Sequence, residues 1–177
     1  MAVLEPGRIR NVAVAGHRGT GKTSLVEALL FQSGAVARLG SVEQGTTVSD
    51  WEDEEHRRKM SLSSSLTHAD WSGCKVNLLD IPGDPGFQGE LIAALPVVET
   101  ALIVVNSVLG VEVQTSRVWV KAAKRKRARV LAVNMLDRER SDFLRVLAQL
   151  QEQLSDRCVA VSLPIGSEAG ISGVVDL

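Results

Sequence analysis

Apolar runs alternate with helix-spaced apolar positions along the chain, and each alternation predicts an element. Ile9–Ala15 (IRNVAVA) is nearly continuous in apolar residues and predicts a buried strand. Leu25, Val26, Leu29 and Leu30 recur at helical spacing within Lys22–Gln32, and Gly34 supplies a stop. Leu39–Glu55 shows no period and is rich in Gly, Ser, Thr and acid. It predicts a long loop, of the kind that compact domains use for function. Leu62–Trp71 alternates loosely, as an edge strand does. Lys75–Ile81 is a second strand, and Ser72-Gly73 between the two predicts an antiparallel hairpin.

Phe87–Leu95 fits a helix that Pro96 ends or kinks. Ala101–Ser107 and Arg129–Asn134 are apolar strands covered on both faces. Between them Val113–Arg127 reads as a helix with Val113, Val118, Val120 and Ala122 turned inward. Ser141–Leu154 is a further helix carrying Phe143, Leu144, Leu147, Leu150 and Leu154. A short strand at Cys158–Leu163 precedes Pro164 and the turn-rich Gly166–Gly173, and Val174–Leu177 is strand-like. Strand–helix alternation predicts an open α/β sheet, mostly parallel, with one antiparallel member and flanking helices.

Composition narrows the class. At 177 residues, 45% of them apolar, the chain suffices for one domain with a core. Mean hydropathy of +0.08 argues for a folded chain. A net charge of −1 gives no global pull toward nucleic acid, so no DNA partner is expected and any RNA contact needs a local patch. Cys74 and Cys158 lack metal-ligand spacing and read as thiols in a reducing compartment. Met1–Arg10 holds no signal-type apolar core, and no stretch approaches the roughly 18 apolar residues of a membrane span. The expectation is a soluble, cytoplasmic monomer without membrane contact.

Three short segments carry chemistry. Gly16-His17-Arg18-Gly19-Thr20-Gly21-Lys22-Thr23, followed by Ser24, satisfies G-x-x-x-x-G-K-[ST] between a predicted strand and a predicted helix. Backbone amides of such a loop curl around phosphate oxygens, and the helix N-terminus adds positive potential. Lys22 is expected at the β and γ phosphates and Thr23 at Mg²⁺. Asp80-Ile81-Pro82-Gly83 ends a strand, where Asp80 holds Mg²⁺ through water and the Gly83 amide senses the γ-phosphate. Asn134-Met135-Leu136-Asp137 matches N-[TK]-x-D with Met135 in place of lysine. There Asp137 accepts from guanine N1 and N2 and Asn134 braces the phosphate loop. Met135 offers apolar contact but no cation to the ring face.

Together these blocks resemble the GTP-binding domain of elongation factor G, and especially the bacterial elongation-factor-G-like branch. The likeness covers nearly the whole chain: GHRGTGKTSLVEALLFQSGA, GSVEQGTTVSDWEDEEHRRKMSLS, DIPGDPGF, NMLD and LPIG…GVVDL. It implies a phosphate-loop, Ras-like domain over 1–177, with a first switch within 40–61 and a second at 80–95. It also implies GTP or GDP as ligand with Mg²⁺, and the ribosome as a partner. The family's domain continues past LPIG into an inserted subdomain and returns with a guanine-contacting loop, so residues 1–177 correspond to a shortened domain.

Besides Met135, two switch positions depart from the family pattern. Ser61 stands for the threonine that the first switch gives to Mg²⁺ and the γ-phosphate, and it lacks the stiffening β-branch. Asp84 stands for the histidine that orients the attacking water, and a carboxylate beside three phosphates is repelled. The catalytic positions are therefore Asp84, Lys22 and Gly83, with slow hydrolysis expected. Two other readings stay open: a regulatory module that holds guanine nucleotide without turnover, and a phosphate-loop ATPase or kinase. Lys121, Lys124, Arg125, Lys126, Arg127 and Arg129 read first as a solvated helix end, with RNA contact as the alternative. Acidic Asp50–Glu55 reads as a solvated, mobile segment, His17 as structural, and Trp51, Trp71 and Trp119 as partial core.

Overall fold

A computed structural model of the chain describes residues 5–177. The reading of Met1–Arg10 as free of a signal-type core therefore falls in part, at residues 1–4, outside the described residues. Five strands form one sheet in the order β2-β3-β1-β4-β5, namely Ser65–Trp71, Cys74–Asp80, Ile9–Gly16, Thr100–Asn106 and Ala128–Asn134. The four strands β3, β1, β4 and β5 run parallel, and only the edge strand β2 is antiparallel, paired from Ser65↔Asp80 to Trp71↔Cys74. The expected open sheet with one antiparallel member is what forms.

Strand alternation divides the core between two faces. Val14 and Val104 point with Leu78 and Ala69 toward α1 (Lys22–Gln32), where Val26 and Leu30 are buried. Ala13, Ala15, Ile103 and Val105 point the other way. They meet Leu91 of α3 (Gln88–Ala94), Val118 and Ala122 of α4 (Val113–Lys124), and Val146 and Leu150 of α5 (Phe143–Gln153). Asp142 begins α5 by accepting from the Arg145 amide at 2.9 Å, a side-chain cap that satisfies an orphan N–H.

Several sequence expectations change. Val113 and Val120 are exposed, at 62% and 48%, because α4 buries Gln114, Thr115, Val118 and Ala122 instead. Leu144 is likewise exposed on α5. The segment predicted as Phe87–Leu95 is a 3₁₀ turn at Pro85–Phe87, then α3, then a second 3₁₀ turn at Leu95–Val97 that accommodates Pro96. Trp51 and Trp71 are exposed and only Trp119 packs against the core. The strand predicted at Cys158–Leu163 is β6, Ser162–Ile165. It pairs antiparallel with β7, Gly173–Asp176, in a small sheet apart from the main one. The apolar spacing of Val159, Val161 and Leu163 suggested a strand two to four residues early. No helix among the described residues is long and apolar enough to cross a membrane.

Candidate functional site

The loop Gly16–Gly21 leaves the buried C-terminal end of β1 and enters α1 directly. Its glycines have physical reasons. At Gly21 the backbone is left-handed (φ 83°), and a Cβ there would run into the Asn134 side-chain amide. Asn134, at the end of β5, donates from Nδ2 to the Thr20 carbonyl at 2.9 Å and so ties the loop to the far side of the sheet. Met135, itself left-handed at φ 62°, takes an Asn106 amide hydrogen on Sδ at 3.3 Å, and its Cε lies 3.6 Å from the same Gly21 Cβ position. Asp137 is exposed at the end of that turn.

Lys22 is buried, and its Nζ donates to the His17 carbonyl at 2.9 Å. Burial pushes its pKa down, against the attraction of Asp80 and Glu112. Gly83 closes over this ammonium. A Cβ on Gly83 would meet Lys22 Nζ, and the backbone of His17 and Arg18 at 2.8 Å, so the turn after β3 touches the loop backbone to backbone. His17 lies 3.4 Å from Glu112, as an ion pair when the imidazole is protonated. Arg18, Gly19 and Ser24 are exposed around the loop, while Thr20 is fully buried.

Beside Lys22 lies a chain of oxygens. The Thr23 hydroxyl donates to Asp80 Oδ2 at 2.6 Å and lies 3.2 Å from the Ser61 hydroxyl, which donates to Asp50 Oδ1 at 2.7 Å. Asp80 is 1% exposed, and its Oδ1 has no hydrogen-bond partner among the described residues. Burial raises its pKa to about 6, while Thr23 and Lys22 oppose the shift and Asp50 and Glu27 add to it. A raised pKa favours the protonated folded state. This contribution is full below the ordinary 3.8 and is lost as pH rises through about 6.

The long loop is more ordered than its composition suggested. A short helix, α2 (Asp53–Arg58), opens with a capping box, and Asp50 and Glu55 are buried rather than solvated, at 4% and 1% exposure. Glu55 accepts from four backbone amides: Trp51 at 3.1 Å, Glu52 at 3.2 Å, Leu62 at 2.8 Å and Ser63 at 3.3 Å. Glu27 of α1, fully buried, accepts from the Val48 amide at 2.7 Å. Glu55 ties the loop to itself, Glu27 ties it to α1 and Asp50 reaches Thr23 through Ser61; the capping spacing Glu52…Glu55 is a signal of this order that the sequence does carry.

Burial works against the Glu55 charge, but the Leu62, Glu52, Ser63 and Trp51 amides outweigh it and hold the pKa below its ordinary 4.5. The stability it contributes is therefore present above pH 4.5 and lost as pH falls through the depressed value. We expect Glu55→Gln to raise the rate of proteolytic nicking between Gly40 and Ser61 at pH 7, by roughly 10-fold for each ~1.4 kcal/mol of lost anchoring. Wild type should show the same nicking only in acid, read by timed digestion and mass spectrometry.

Asp84 does not face into open space. Its Oδ1 accepts from the Gly86 amide at 2.8 Å and so caps the Pro85–Phe87 turn. It lines a narrow cleft with Gly83, Phe87, Gln114, Arg117 and Lys121. The structure thus brings Lys22, Thr23, Ser61, Asp80 and Gly83 together around one loop, with Asn134 and Met135 behind it.

Comparison with known proteins agrees with this geometry. Residues 7–173 match the family model described as elongation factor Tu GTP binding domain. Elongation factor G 2 of Syntrophomonas wolfei is 37% identical over 169 residues, 96% of this chain and 24% of that protein. Elongation factor G of Mycoplasma pneumoniae is 34% identical over 168 residues, 95% of this chain and 24% of that protein. The chain thus spans about a quarter of the length of these relatives. A crystal structure of a Thermus thermophilus protein superposes with a TM-score of 0.90 at 36% identity, covering 96% of this chain and 25% of the other. With a phosphate-type loop at the end of β1 and a family match from end to end of the sheet, the chain belongs to the elongation factor Tu GTP-binding-domain family.

Proposed function

We propose that this chain is a guanine-nucleotide switch of the elongation factor G type that hydrolyses GTP slowly and works in protein synthesis, at the ribosome. The observation that carries the reading is the meeting of Lys22, Thr23, Asp80 and Gly83 at one glycine-rich loop that opens a helix. In this reading the amides of Gly16–Thr23 and Ser24 cradle the phosphates, and Lys22 places its ammonium on the β and γ oxygens. Asp137 accepts from the guanine edge, and Met135 lies under the base where the family carries lysine. An adenine-specific ATPase or kinase has no need of the Asn134…Asp137 pair, and we set that reading aside.

The residues fit Mg²⁺. The donors are hard oxygens, from the Thr23 and Ser61 hydroxyls and the unpartnered Asp80 Oδ1. Among the described residues no group of three or more His, Cys, Asp or Glu side chains could hold a metal by itself. Such a cation needs phosphate oxygens to complete its shell, which is how Mg²⁺ accompanies a nucleotide. Bound there, it supplies charge neutralisation at the β and γ phosphates. The chain's own part is to hold Ser61 and Asp80 in reach, through Asp50 and Thr23, and to bring Gly83 against the third phosphate.

Slow hydrolysis follows from Asp84. Its Oδ1 accepts from the Gly86 amide, and a carboxylate has no proton to donate to a water and is repelled by the phosphates. Protein that holds GTP with Mg²⁺ for many minutes and releases phosphate in far less than one equivalent over that time agrees with the proposal. Fast multiple turnover, unchanged in Asp84→Ala, contradicts the part given to Asp84. Adding ribosomes to the same assay tests whether turnover is raised by that partner.

A further inference from the structure

Charge is strongly divided along this chain. From Val113 to Arg129 the sequence contains Arg117, Lys121, Lys124, Arg125, Lys126, Arg127 and Arg129 and no acid. The remaining residues hold 13 Lys and Arg against 21 Asp and Glu, so a chain of net −1 carries a cluster of seven cations on a background of −8. The ion pairs among the described residues, His17–Glu112 and Glu54 with Arg57 and Arg58, use none of the seven.

Topology collects most of them at one pole. The phosphate loop leaves the C-terminal end of β1. Helix α4 starts from the C-terminal end of β4 and returns to the N-terminal end of the parallel β5, where Thr100 pairs with Ala128. Its last turn therefore lies at the end of the sheet opposite the phosphate loop. The geometry then sorts the cations. Arg127 donates to the Leu95 and Pro96 carbonyls at 2.9 and 3.0 Å, and Arg129 lies 3.9 Å over the Trp119 ring. These two brace the pole. Lys124, Arg125 and Lys126 are exposed and face solvent.

Lys126 holds its place against local strain. The Lys126 amide donates to Ala123 and the Arg127 amide to Ala122, the paired bonds of a Schellman ending, and Lys126 sits in its left-handed position at φ 55°. Glycine is the residue that relieves this conformation. A cation stands there instead, between two others. From Lys121 to Arg129 the only uncharged residues are Ala122, Ala123 and Ala128, so this stretch itself offers charge without large apolar anchors, and the exposed apolar side chains near it are the small Val97, Val120 and Val130. A helical protein partner needs such anchors, whereas a phosphodiester backbone needs only spaced cations.

We propose that the Lys124-Arg125-Lys126 pole of α4 is an RNA-backbone contact surface, distinct from the nucleotide site and independent of it. The test is fluorescence anisotropy of a labelled mixed-sequence single-stranded RNA across a potassium chloride series, with nucleotide-free protein. Binding is expected to weaken with salt, and Lys124→Ala/Arg125→Ala/Lys126→Ala should flatten the log–log slope by about 2, at ~0.7 per lost contact. Lys126→Gly separates contact from folding: it should raise the melting temperature yet flatten the slope by about 0.7. GTP affinity of both variants should equal wild type, so loss of the nucleotide function would read out separately. Slopes unchanged in the triple variant, absence of RNA binding at low salt, or equal binding of polyglutamate, which marks an acidic protein partner, each overturns the proposal.

Discussion

Lys22→Ala should weaken Mg²⁺-GTP binding by about 1.5–3 kcal/mol, roughly 10- to 150-fold, the worth of hydrogen bonds to a charged group. The ammonium is already desolvated and aimed into the loop, where it donates to the His17 carbonyl. In the proposed function, nucleotide binding recruits a preplaced charge and spends little on ordering it. The nucleotide-free fold should survive the change, because no structural carboxylate is hydrogen-bonded to Nζ and Asp80 can take up a proton near pH 6. Fluorescent-nucleotide titration beside a thermal melt reads both quantities. Equal affinity in wild type and variant would remove Lys22 from the site.

The second large effect is a gain. Asp84→His should raise GTP turnover by roughly 100-fold, the lower end of what a positioned proton-transfer group contributes. It should also cost up to about 1 kcal/mol of stability, because the Gly86 amide loses the cap it now has. Asp84→Ala should lose the same cap without gaining turnover. Phosphate release and melting temperature together distinguish the three proteins. Turnover that stays at the wild-type level in Asp84→His would show that the switch-II residue does not limit the rate.

Much of this molecule was legible because periodicity and burial agreed. Ala13–Gly16 of β1 and Ile103–Asn106 of β4 are buried, and the apolar runs Val12–Ala15 and Ala101–Val105 made the placement of these strands plain. The phosphate loop and the Asn134 turn were readable because their glycine and amide chemistry is local. Val113 and Val120 misled because they are apolar at helical spacing on a face that no element covers. The true inner face of α4 is built partly from polar Gln114 and Thr115, which hydrophobic pattern cannot nominate.

The long loop was hidden for a different reason. Asp50 and Glu55 look solvated in sequence, since the Ser61 hydroxyl that donates to Asp50 and the backbone amides that donate to Glu55 meet them only in the fold. Their role depends on Leu62 and Ser63 folding back over α2, and on Ser61 reaching Thr23. Asp84 was read as a second-switch position from its place after Gly83, and its hydrogen bond to the Gly86 amide is a property of the folded turn that the sequence does not display.

Side-by-side titration with GTP and ATP at pH 7.5 in Mg²⁺ shows whether this site grips a guanine nucleotide. Two edge contacts to Asp137, each worth about 1.5–3 kcal/mol, predict GTP tighter than ATP by at least ~100-fold, with the margin erased in Asp137→Ala. Equal affinity for the two nucleotides, or a preference for ATP, contradicts the account.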